Sequence, residues 1–163
     1  APGLTDAQRA DCALILANAS GADGMVAGQV LDTLCHVEDE EGLTGLNRLK
    51  TGVMISAAAE LGCVASNMPA YWRQQAVKYA DQLGLAFQIR DDMLDVMGDE
   101  AVFGKPIGSD KDEGKITYVN LKGLDGCAQE VEKCTVAAKE AIRDIPDHNF
   151  LWELADRMVG RNK

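Results

Sequence analysis

Three carboxylates crowd into five residues in the stretch Phe87-Gln88-Ile89-Arg90-Asp91-Asp92-Met93-Leu94-Asp95. On a helix, Asp91 and Asp95 stand one turn apart on a shared face, and Asp92 lies about 100° around. Gly98 is a natural helix stop, so the acids fall in the last two turns, at the negative end of the helix dipole. Like charges at this spacing cost roughly 0.2–0.5 kcal/mol, and the dipole adds a similar amount. A divalent cation reverses both effects. Mg²⁺ suits such a site, since it takes one or two carboxylates and leaves its other positions to water and phosphate. Spacing alone fits a solvated acidic patch equally well. Two features favour a site. Tyr79, Ala80, Leu83, Gly84 and Phe87 form an apolar stripe typical of a buried helix. Gln88, Asp91, Asp92 and Asp95 form one narrow polar ribbon, as expected of a helix lining a cavity.

Other polar residues interrupt apolar helical faces. Gln29 and Asp32 are three apart, with Met25 one turn earlier, and Lys50-Thr51 precede Met54 and Ala58. A buried lysine is costly without an anion, so Lys50 calls for a carboxylate or a diphosphate unless it lies on an exposed face. Gly104-Lys105 and Gly114-Lys115 each follow glycine with a cation, where backbone amides and an ammonium group can reach the same anion. Cys35-His36 has no further ligands at usable spacing and is not read as a metal site.

The elements that must position these residues are helices. Thr5 and Gln8 form a capping-box pattern for a helix to about Ala19, followed by a break at residues 20–24. A second helix is expected over Met25–His36, and acid-rich residues 37–42 read as a loop. Thr44 is expected to cap a third helix ending at Gly62. Met68-Pro69 opens a long helix to about Met97. Residues 98–115 read as a long functional loop. Two more helices are expected near Gly123–Ile145 and Asn149–Val159. No strand alternation occurs, and the fold class is all-α.

A chain of 163 residues suits one domain with a sizeable core. The net charge of -10 argues against nucleic acid as a partner, because phosphate backbones need basic surfaces. No apolar run reaches membrane-spanning length, and no leader pattern opens the chain. Five widely spaced cysteines without a CxxC pair read as small core residues in a reducing, cytoplasmic setting.

Taken in order, Gly28-Gln29-x-x-Asp32, Lys50-Thr51-Gly52, Phe87-Gln88-x-x-Asp91-Asp92-x-x-Asp95 and Gly104-Lys105 resemble the trans-isoprenyl diphosphate synthases, most closely the bacterial farnesyl and geranylgeranyl diphosphate synthases. The resemblance extends over nearly the whole chain, to Arg161-Asn162-Lys163. It implies a helical bundle that condenses an allylic diphosphate with isopentenyl diphosphate, with Mg²⁺ held between two aspartate-rich motifs. It also implies roles by motif. Asp91 is a metal ligand, and Asp92 and Asp95 hold the ion and its waters. Lys50 and Lys105 bind the allylic diphosphate with Lys115 nearby. Phe87 and Gln88 face the reacting chains, while Gln29, Asp32 and Thr51 line the site.

Family members are about twice this length, and their first aspartate-rich motif lies upstream of anything present here. The chain is therefore expected to be the C-terminal half of a synthase, inactive alone. Its expected protein partners are the other half or a second copy, and the intact enzyme is expected to be a homodimer. The cavity-facing apolar stripes of Met25–His36, Leu46–Leu61 and Pro69–Met97 are expected to lack cover. Two other readings stand beside this one: a non-catalytic fragment or partner subunit that binds Mg²⁺-diphosphate weakly, and a class I terpene cyclase.

Overall fold

The computed structural model describes residues 3–97 and 115–160, and every regular element among them is helical. The helices are α1 (Asp6–Ser20), α2 (Met25–Leu34), α3 (Glu40–Asn47), α4 (Val53–Ala65), α5 (Ala70–Met97), α6 (Tyr118–Ile142) and α7 (Asn149–Gly160). A π-helical segment, Arg48–Gly52, joins α3 to α4 without a break.

Local chemistry explains most boundaries. The Thr5 hydroxyl accepts from the Gln8 amide, and the Gln8 side chain accepts from the Thr5 amide, closing the expected capping box. Pro69 opens α5: its ring fixes a helical φ, and its carbonyl accepts the first turn's bond from the Arg73 amide at 3.0 Å.

Three expectations need correction. Residues 37–42 are not all loop, because Asp39 caps α3 by accepting from the Gly42 amide at 2.8 Å. Glu40 and Glu41 then sit in the first turn, where the helix dipole favours acids. Thr44 caps nothing: it lies inside α3, and its hydroxyl pairs with that of Tyr118 at 2.9 Å. Gly62 does not end α4. The stop is a Schellman turn, with Asn67 at φ 55, the Asn67 amide on Val64 and the Met68 amide on Cys63. Smaller differences are that α2 ends at Leu34, where Cys35 turns extended, and that α6 begins at Tyr118 under a Thr117–Asn120 capping box. Gly123, at φ 67, kinks α6 instead of starting it. The expected loop over residues 98–115 lies outside the described residues except for Lys115.

Helix α5 is the central element, packed mainly along α6 and α4, with α7 crossing near its start. Tyr79, Ala80 and Leu83 meet Ala138, Ile142 and Ala155 in one cluster. Ile89 and Met93 meet Leu43, Tyr118, Cys127 and Val131 in the other. Ile89, fully buried, contributes about 1.5–3 kcal/mol by leaving water. The Tyr79 hydroxyl donates to the Leu151 carbonyl at 2.6 Å and so ties α7 to α5.

The stripe of α5 carrying Tyr79, Ala80 and Leu83 is buried, as its spacing predicts, because α6 and α7 pack over it. Exposed large apolar residues include Leu14 and Leu16 on α1 and Met25, Val26, Val30 and Leu34 on α2, with others on α5, α6 and α7. No helix among the described residues is long and apolar enough to cross a membrane.

All five cysteines are free thiols. Cys63, Cys127 and Cys134 are buried, Cys12 is half-buried and Cys35 is exposed. Burial pushes the three buried thiols up, Cys134 to about 11. Iodoacetamide at neutral pH is therefore expected to modify Cys35 first and Cys12 more slowly. The buried three should react only on unfolding. Fast labelling of Cys127 or Cys134 in the folded chain, read by peptide mass, would contradict this core.

Candidate metal and diphosphate site

The acids at the end of α5 are stabilised in part by another helix. The Asp92 carboxylate accepts from the Tyr118 backbone amide at 2.7 Å. That amide is one of the unpaired donors opening α6, so Asp92 sits at the positive end of the α6 dipole. The unfavourable position of Asp92 on α5 is offset there. Asp91 and Asp95 share the neighbouring face of α5, and all three acids are half-buried.

Among the described residues, no three His, Cys, Asp or Glu side chains converge into a closed metal cage. The donor set fits a hard cation held by one or two carboxylates and completed by water and phosphate. It does not fit a zinc-like site with a full set of protein ligands.

The lysines are gathered by Asp32. Its Oδ2 accepts from Lys50 Nζ at 2.8 Å and lies 3.4 Å from Lys115 Nζ. Burial by itself raises the Asp32 carboxyl, but the hydrogen bond and charge of Lys50, then of Lys115, hold it below its ordinary value. Lys115 stands three residues before Tyr118, so its Cα is at most roughly 11 Å from the residue that holds Asp92. The lysine cluster and the aspartates therefore occupy one end of the bundle.

Lys50 and Thr51 ride on the π-helical turn, which widens the backbone between α3 and α4. Helix α2 seats against that turn at Gly28. A Cβ there would stand 2.2 Å from the Lys50 amide nitrogen and 2.5 Å from its Cα, so only glycine allows the approach.

The remaining candidates divide. Gln88 lines a cavity of about 260 Å³ with Thr44, Asn47, Arg48, Asp81 and Leu85, in keeping with its place on the polar ribbon. Phe87 and Thr51 are half-buried. Gln29 is exposed, about 100° around α2 from Gly28, and is not brought into the Asp32 cluster. Lys105 lies outside the described residues.

Sequence reasoning missed the π turn, the Asp92–Tyr118 link and the Thr44–Tyr118 pair. The only available signal was the Thr117-x-x-Asn120 capping pattern, which places a helix start, with its unpaired amides, at Tyr118.

Comparison with known proteins agrees with this fold. The family model for Polyprenyl synthetase matches residues 4–148. Farnesyl diphosphate synthase of Escherichia coli (strain K12) is 36% identical over 99% of this chain, which spans 56% of that protein. An FPP/GFPP synthase from Zymomonas mobilis superposes with a TM-score of 0.81 at 29% identity, over 95% of this chain and 52% of that one. A geranyltransferase from Helicobacter pylori, complexed with magnesium and isoprenyl diphosphate, superposes at 0.78 with 28% identity, over 96% and 52% of the two chains. The chain thus spans about half the length of the relatives it matches. With its fold, its ordered motifs and nearly all of its described residues accounted for, the chain belongs to the polyprenyl synthetase family.

Proposed function

We propose that this chain forms one wall of a short-chain prenyltransferase of the farnesyl or geranylgeranyl diphosphate synthase type. The observation that carries this reading is the meeting of Lys50 and Lys115 on Asp32 at the same end of the bundle as Asp91, Asp92 and Asp95. Cations for phosphate oxygens and carboxylates for Mg²⁺ are what a leaving diphosphate requires. The magnesium and isoprenyl diphosphate bound by the Helicobacter pylori relative support the same assignment.

In this mechanism Asp91 and Asp95 hold Mg²⁺ from the end of α5, and Asp92 braces the site through the α6 amide. When bound, Mg²⁺ neutralises charge developing on the departing diphosphate. Lys50, Lys115 and Lys105 orient the allylic diphosphate oxygens. Gln88 and Phe87 border the space for the reacting chains, with Thr51 at its margin. Isopentenyl diphosphate is the second substrate. Its double bond attacks the allylic carbon as the bond from that carbon to the diphosphate oxygen breaks. The resulting cation loses a proton, to the departed diphosphate, to form the new double bond.

The chain supplies the C-terminal half of the synthase domain and works with the part of the family length that it does not span. Exposed apolar residues on α1 and α2 support pairing with that part or with a second copy. The intact enzyme is proposed to be a cytoplasmic homodimer. The same half-length coverage also favours a second reading, a non-catalytic subunit that binds Mg²⁺-diphosphate weakly.

An elongation assay with an allylic diphosphate and labelled isopentenyl diphosphate separates the two. Residues 1–163 alone are expected to give no product, and adding the remaining half should restore elongation. Elongation by the chain alone would show that this half needs no partner. Failure after reconstitution would favour the non-catalytic reading.

A further inference from the structure

We infer that Asp32 is a positioning residue for the anion-binding lysines, an inference that rests on the proposed diphosphate site. Its carboxylate is the most enclosed charge in the cluster, with a side chain 14% exposed against 36% for Lys50 and 39% for Lys115. An acid in direct contact with a diphosphate would repel it, so Asp32 acts through the lysines.

Both ammonium groups lie on the same oxygen, Oδ2, close enough to repel each other without the carboxylate between them. Each ammonium has three N–H donors. Lys50 spends one of its three on Asp32. Lys50 is therefore aimed by Asp32 without being used up by it.

Helix α2 holds residue 50 at both levels. Gly28 lets the helix seat against the Lys50 backbone, and Asp32, one turn further on, takes the Lys50 side chain. The i, i+4 spacing of the two puts both on the face of α2 that meets the π turn. Loss of the carboxylate frees two long side chains, whose ordering must then come from ligand binding itself.

The test is a ³¹P NMR titration of inorganic pyrophosphate with Mg²⁺ into the 163-residue chain, run well below its melting temperature. Lys50→Met should weaken binding about tenfold or more, Asp32→Asn about tenfold, and Asp32→Glu should recover most of the loss. A purely structural residue would lower the melting temperature and leave the affinity of folded protein unchanged.

Asp32→Asn binding as tightly as the parent, or tighter, while Lys50→Met has lost binding, overturns the inference and leaves the site standing. Parent-like affinity in both Lys50→Met and Lys115→Met overturns the site and the inference together. A measurement on the unaltered chain guards against misfolding of the variants. Acylation of Lys50 should be much slower than that of Lys133, whose side chain is 76% exposed, and pyrophosphate should slow it further. Equal rates would also overturn the inference.

Discussion

Asp91→Ala in the reconstituted synthase should lower turnover about a thousandfold, roughly 4 kcal/mol of transition-state stabilisation, with little loss of folding stability. Asp91 shares its face with Asp95 near the negative end of α5, so removing it relieves repulsion of a few tenths of a kcal/mol. Its proposed role is to bind a cation. Asp92 is in addition tied to another helix, since its carboxylate accepts the Tyr118 amide at the start of α6. Asp92→Ala should therefore cost about 1–2 kcal/mol of stability as well as activity. Asp92→Asn, which keeps an acceptor oxygen, should fold nearly as the parent does. Turnover assays read beside thermal melts separate the effects. If Asp91→Ala melts many degrees lower yet turns over normally per folded molecule, the metal assignment is wrong.

Gly28→Ala should destabilise the chain by about 1–3 kcal/mol, which for a domain of this size lowers the melting temperature by roughly 5–10 °C. The added Cβ would meet the Lys50 nitrogen at 2.2 Å, its Cα at 2.5 Å and the Leu49 carbonyl carbon at 2.6 Å. All three are backbone atoms, so no rotamer change relieves the clash. The gain of about 1 kcal/mol from replacing glycine by alanine inside a helix does not offset it. The control is Gly62→Ala at an exposed position of α4, where a Cβ meets nothing within 4 Å. That change should raise the melting temperature by a few degrees. Differential scanning calorimetry of the two variants decides the matter, and an equally stable Gly28→Ala would mean that α2 does not seat on the π turn. Because the clash falls on residue 50, Gly28→Ala should also turn the lysine away from Asp32.

The residues proposed to do chemistry stand out in the chain because their types are rare on apolar helices and their spacing is local. Asp91, Asp92 and Asp95 are brought together by helical periodicity alone. The capping box at Thr5, the start of α5 at Pro69 and the all-α class are equally local, each depending on a few neighbouring residues. The sequence could also say that Lys50 needs an anion, since the cost of burying an ammonium is general. It left open whether that anion was a diphosphate or a side chain.

Tertiary structure alone decided which partners these groups have. Asp32 and Lys115 are 83 residues apart in the chain and meet only when α2 and the start of α6 converge. The amide that takes Asp92 comes from a helix 26 residues further along. That α6 and α7 are the helices covering the apolar stripe of α5 likewise came from packing. The π turn under Lys50 escaped notice for a similar reason. One extra residue in a helical turn costs little locally and is stabilised by what packs on it, here the bare backbone of Gly28. Periodicity within a helix is a property of the sequence. The pairing of charges between helices is a property of how those helices pack, and the chemistry of this site depends on both.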